Sequence, residues 1–499
     1  MNKIYLFLVL LFLGTTSCSD FLEEYSQNLS YVNTIDDLDE LLMGGAYWMQ
    51  TKSSIDFYLY YLNTMDDDIA SINISHNVKS PGYYMRHFYT WQEYSYISND
   101  EGDKTWGVDA AWAKFYEKIA VCNSILVDIE RFTGEEKYNR VKGEALFLRA
   151  FYYLYMVNMW GEPYDKDIAT TQSGVPIKTF SEVEDKDYSR NTVAECYEQI
   201  VKDAKAALNY LKGVTPSSAK RVGEQAARAL LARTYLYMGE YASVIQQCDS
   251  ILNSPKMLAL MDMNTMSVSD YEDATTHVGS SELIFTGSMG QSWRSTSGYR
   301  FTVSEDLVSC YEEGGDWRFR LNKQSHFFSY KTAKGKTFYT RWLMDGNQEW
   351  IGFGFGYPEI YLNKAEAAAM LGRNEEAIST LEKLRETRIE NPASIRGLSG
   401  ESLVKFTRKE RRRELCFSYH RWFDLRRYAV APQYPEAITI KHKWDADDSD
   451  LENGTYVLKP YPEDGGWVLP FPTYVLEDNH GVLVDNVRPA RRIESSTGE

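Results

Sequence analysis

The chain has 499 residues, of which 43% are hydrophobic and 25% charged, and its formal net charge is -17. These proportions exclude wholesale disorder and provide for a packed core in one large body or several average domains. The acidic balance excludes a polyanion as the main partner, because nucleic-acid binding needs a net basic face from which counterions are released.

The chain opens with MNKIYLFLVLLFLGTTSC: Lys3, an apolar run over 4–13, small residues and then Cys18. That run is too short to span a membrane and reads as an export signal over 1–17, with cleavage before Cys18 and lipid attachment to it. Residues 18–35 read as an acidic tether and 36–499 as one domain. The remaining cysteines, Cys122, Cys196, Cys248, Cys310 and Cys416, are far apart and form no C-x-x-C, so a disulfide framework and a zinc site are excluded; they read as small buried apolar residues.

Helical periodicity starts in DDLDELLMGGAYWMQ and recurs over about 104–131, 135–160, 192–211, 223–252, 357–388 and 401–428. Between these lie loop-rich stretches at about 52–103, 254–356 and 429–499, so the expectation is an all-α fold with long ordered loops. Two of the helical stretches align with each other: Gly239 matches Gly372, Ala232 matches Ala365, Ile245 matches Ile378 and Ile251 matches Leu384. Each reads as helix, glycine turn, helix, which is the tetratricopeptide pattern, here interrupted rather than in tandem.

The stretch RRRELCFSYHRWFDLRRY, 411–428, places six arginines in an acidic chain. On a continuous helix, Leu415, Tyr419, Trp422 and Phe423 share one arc. Glu410, Glu414 and Asp424 lie on another side, at i,i+3 from Arg413, Phe417 and the pair Arg421 and Arg427. A helix crossing the core and tied by ion pairs is expected, not a phosphate-binding face.

The residues Glu410, Arg411, Glu414, Leu415, Phe417, Arg421, Trp422, Phe423, Asp424, Leu425 and Arg427 spell a pattern that resembles the signature of the SusD/RagB family. Other segments resemble that family in the expected order: GEALFLRAFYYLYMVNMWGEPY (143–164), the two tetratricopeptide-like stretches, SEDLVSCYEEGGDWRFR with its D-x-R, and WVLPFPTYVLEDN. The ending reads Leu-Pro-Phe-Pro where the family more often has Pro-Ile-Pro, and Ser418 stands where a glutamate is common. The resemblance implies a SusD-like helical fold and a non-catalytic outer-membrane lipoprotein at the cell surface. It implies that the protein captures a glycan and passes it to a SusC-like TonB-dependent transporter docked on the helical side.

Chemistry-bearing motifs are few. GFGFG at 352–356 is not G-x-G-x-x-G, and a P-loop, G-x-S-x-G and H-E-x-x-H do not occur. The seven histidines are scattered, and DADDSDLEN at 445–453 misses the EF-hand register because Asp450 takes the glycine position. No cofactor, metal or catalytic residue is expected. Sugar rings carry apolar faces on which exposed aromatics stack, so ligand contacts are sought in the aromatic loops. Trp91, Tyr94, Tyr96 and Asn99 form one candidate group; Trp293, Arg294 and Tyr299 form the other. Trp112, Trp160, Trp317 and Trp422 are expected in the core. Three other functions stay open at this level: a peptide or glycopeptide binder, a surface glycosidase, and a protein-binding scaffold.

Overall fold

The computed structural model describes residues 32–48, 59–72, 85–96, 110–270, 280–287, 301–311, 315–321, 323–333, 335–341, 353–445 and 451–494. Cys18, Asn99, Trp293, Arg294, Tyr299 and the acidic run 446–450 lie outside them.

The helices follow in order as α1 Ile35–Leu41, α2 Ala111–Asp128, α3 Tyr138–Trp160, α4 Val193–Tyr210, α5 Glu224–Met238 and α6 Tyr241–Leu252. After a loop-rich interval come α7 Tyr357–Met370, α8 Asn374–Arg385, α9 Gly400–Leu415 and α10 Arg421–Ala429. The sequence of α3 is apolar on almost every side, and such a helix is stable only when surrounded. It is buried nearly throughout from Val141 to Trp160, with α2 and α4 packed against it. The charge it carries inward is matched: Arg149 reaches both carboxylate oxygens of Asp203 at 2.8 Å.

The two aligned stretches form helical hairpins, α5 with α6 and α7 with α8, and α6 packs on α7. Gly239 and Gly372 end the first helix of each hairpin at φ 73° and 71°, a left-handed conformation that glycine adopts without strain. The all-α expectation holds. The strands are short, in antiparallel pairs: β1 Ile69–Ser71 with β3 Phe301–Val303, β2 Leu283–Thr286 with β6 Gly354–Gly356, β4 Phe328–Ala333 with β5 Lys336–Arg341, and β7 Ile440–Trp444 with β8 Gly454–Leu458.

One expected helix is broken. The stretch 401–428 is two helices, because the chain leaves helical geometry at Cys416, and Phe417 and Tyr419 take φ 57° and 60°. Buried Asn63 holds this break: its side-chain amide donates to the Phe417 carbonyl at 3.1 Å, and its Oδ1 accepts from the Tyr419 N–H at 3.2 Å. Both aromatic side chains enter the core. Tertiary burial and a side chain from far away in sequence override local helix propensity. Trp317 also departs from expectation, since it is half-buried at the surface, with Arg320 over its ring at 3.5 Å and its Nε1 donating to Asn264. Trp112, Trp160 and Trp422 are buried as expected, and so are all five cysteines.

Candidate ligand-binding site

The six arginines account for themselves one by one. Arg411 bonds Asp424 at 2.8 Å and Asn363 at 2.6 Å. Arg413 bonds Glu410 and the Cys310 carbonyl, each at 2.5 Å. Arg427 grips Glu366 with two bonds and Asp424 with a third, and Arg426 donates to the carbonyls of Asn158 and Gly161. Glu414 accepts from Arg388 and Arg318, and the D-x-R arginine, Arg318, also bonds Asp316 and Glu410. Buried charges held in this way, most by carboxylates and Arg426 by backbone carbonyls, define a rigid core rather than a surface patch.

The last two arginines, Arg412 and Arg421, meet another acidic segment, and for Arg421 this follows from the helix break. Arg421 does not meet Asp424, as a continuous helix would have it; its Nε and Nη2 bond the two oxygens of Asp67 at 2.7 Å each. Arg412 reaches Asp67 at 3.1 Å, Asp68 at 2.6 Å and Asp306 at 2.5 Å. Burial raises the Asp67 carboxyl, but Arg421 and Arg412 overcome that and hold it well below the usual carboxylate range. Asp66, Asp67 and Asp68 bring ligand-type oxygens within 4.8 Å of one another. The charges of Asp67 and Asp68 are met by guanidinium groups, while burial and the neighbouring aspartates raise the Asp66 carboxyl well above the usual carboxylate range.

These pairs sit at the base of a pocket of about 570 Å3 between β1, Ser304 and β7. Tyr89 closes one wall: its hydroxyl accepts from the Ser71 N–H at 2.8 Å and donates to the Lys443 carbonyl at 3.3 Å. The His442 ring is sandwiched between Tyr89 and Trp91, with ring centroids 4.0 and 4.4 Å away. Burial pushes its pKa down to about 4, so the imidazole is neutral at physiological pH. Lys441 and Lys443 alternate with it along β7 and face outward.

None of the predicted aromatic contact residues among the described residues lines this pocket; Tyr89, next to them in sequence, does. Ser71 pairs with Phe301, so the chain enters β3 from 288–300 at the end of the strand pair where Ser71 lines the pocket, while the other aromatic segment begins at Tyr89 in the pocket wall. Tyr94 is 65% exposed and does not line this pocket. Tyr96 is half-buried and its hydroxyl accepts from Trp160 Nε1 at 3.0 Å. Trp91 requires correction: it is fully buried, its Nε1 donates to the Met65 carbonyl at 2.9 Å, and it offers solvent no ring face. It supports the pocket through His442. The sequence reading missed Asp67, Tyr89, Arg412 and His442 as pocket residues; the MDDDIAS run was the one local signal, since a buried acid triplet needs cations supplied from elsewhere.

Solved structures share this architecture. A SusD superfamily protein from Bacteroides vulgatus superposes with a TM-score of 0.69 at 20% identity, over 91% of this chain and 99% of that one. A SusD-like carbohydrate binding protein from the same organism gives a TM-score of 0.65 at 21% identity, over 90% of this chain and 97% of that one. The fold is that of the SusD superfamily. In sequence, residues 20–236 match the family described as starch-binding and associating with the outer membrane, and 323–487 match the SusD family. SusD-like protein P2 of Formosa agariphila is 24% identical, covering 93% of this chain and 97% of that protein. The chain belongs to the SusD/RagB family.

Proposed function

We propose that the protein is a non-catalytic, cell-surface binding lipoprotein, anchored through Cys18, that captures a neutral glycan and hands it to a TonB-dependent transporter in the outer membrane. The observation that carries this reading is the 570 Å3 pocket beside the strand pair that the 288–300 segment enters, with Tyr89 of the other aromatic segment in its wall. Its size suits one or a few sugar units, and its wall presents Asp306, Lys441 and Lys443 as exposed hydrogen-bonding groups. Tyr94, Asn99, Trp293, Arg294 and Tyr299 are proposed to extend the contact surface from the pocket rim. The family match and the carbohydrate-binding relative support a saccharide as the ligand.

The test is isothermal titration of soluble protein beginning at Ser19 with a panel of neutral plant, fungal and host polysaccharides. Saturable heat for one of them is expected, weakened about tenfold by Asp306→Ala with Lys443→Ala, both at exposed positions of the pocket wall. A sustained heat signal after each injection would mean turnover and an enzyme. Heat only with peptides would move the ligand class to peptide.

A further inference from the structure

A second cavity, of about 460 Å3, opens on the helical-hairpin side. It lies between residues 164–167, the turn at Gly239, and the C-terminal end of α10 with the residues that follow it to Pro432. Its floor is the ion pair of Arg427 and Glu366, with bonds of 2.5 and 2.7 Å and 8% and 2% of the two side chains exposed. Tyr164 and Tyr241 stand in its wall. Neither hydroxyl makes a hydrogen bond among the described residues, and both stay protonated. Burial and then the Glu366 charge push Tyr241 up to about 12, and burial and then Glu240 raise Tyr164.

The charges around the cavity cancel. Glu366, Asp165 and Asp167 oppose an anion, while Arg427, Arg408 and Lys166 oppose a cation. What remains favourable is an uncharged ring whose apolar face lies on tyrosine and whose hydroxyls meet free tyrosyl hydroxyls and a fixed guanidinium–carboxylate pair. The two cavities are also physically adjacent: Arg408, in this one, bonds Glu436, which lines the first, at 3.2 Å.

We infer that this cavity is a second saccharide site, separated from the first by the Arg408–Glu436 pair and taking one or two neutral sugar units. The inference rests on the reading of the chain as a glycan binder and adds a site on the opposite side of that pair.

The experiment is hydroxyl-radical footprinting of the soluble chain with and without saturating maltoheptaose, xylohexaose or mannohexaose, together with titration of Tyr164→Ala with Tyr241→Ala. For the sugar that binds, protection of Tyr164 and Tyr241 is expected. Asp306→Ala with Lys443→Ala should leave that protection in place, and the tyrosine double variant should lower bound sugar from two per chain to one. A sugar that binds the first pocket yet leaves both tyrosines reactive would overturn this inference alone. Protection that appears only when an outer-membrane protein is added would also overturn it, assigning the face to protein docking. If no sugar binds anywhere, the proposed function and this site fail together.

Discussion

Trp91 shows how a residue can matter to a site without touching a ligand. Its ring backs His442, and its indole N–H is held by a buried carbonyl, so Trp91→Ala removes a large fully buried side chain. A loss of about 3–5 kcal/mol in unfolding free energy is expected by urea denaturation, with any fall in sugar binding tracking the loss of folded protein. An unchanged urea midpoint together with lost binding would return Trp91 to the contact surface. Glu410 tests the ionic core at the same scale. Burial would raise its pKa, but Arg318, Arg413 and Arg385 bring it down to about 2. A carboxyl depressed in the folded state stabilises fully above its unfolded value of 4.5, and that contribution is lost as pH falls toward 2. Glu410→Gln should therefore lose about 3–5 kcal/mol at pH near 7, and its stability should fall less steeply than the parent's between those two pH values. Parallel pH slopes in urea titrations of the two proteins would show that Glu410 is not the group responsible.

The break between α9 and α10 depends on one side chain. Asn63→Ala should strand the Phe417 carbonyl and the Tyr419 N–H in the core, destabilising by about 2–4 kcal/mol. A loss under 0.5 kcal/mol in the same urea assay would mean that water or a backbone shift replaces Asn63. Gly372→Ala, by contrast, meets no atom within 4 Å and is strained by its φ of 71° alone, so a drop of about 1 kcal/mol is expected. The contrast shows what was legible. Gly239 and Gly372 announce their turns in the local sequence because only glycine takes that backbone shape cheaply. Asn63 announces nothing, because its partners lie more than 350 positions away. The helical period at 192–211 was readable for a similar reason, because one-sided burial leaves a local pattern, whereas α3, buried on every side, announces itself by its long apolar run. The pocket was not legible, since Tyr89 and His442 act through contacts that no spacing rule records and the predicted Trp91 is buried behind them.

At the scale of the whole molecule, charge and ligand are uncoupled. The chain carries a net charge of -17, yet the cavity proposed for the second sugar has balanced charges, and the arginines below the first pocket are paired with aspartates. Affinity for a neutral glycan should change less than about twofold between about 50 and 500 mM salt, because no counterions are released on binding. A tenfold fall in calorimetric affinity over that range would point to an acidic ligand instead. The all-α architecture was readable from composition and periodicity, and the family from the arginine signature; which residues face each cavity depends on packing between distant segments.

The bond from Arg421 to Asp67 spans 354 positions of chain. Closing so long a loop is slow, and nothing repays it until both ends are present. The ion pairs of Arg412 and Arg421 with Asp67 and Asp68 therefore form late in folding, and they fasten the N-terminal third of the chain to its last two long helices.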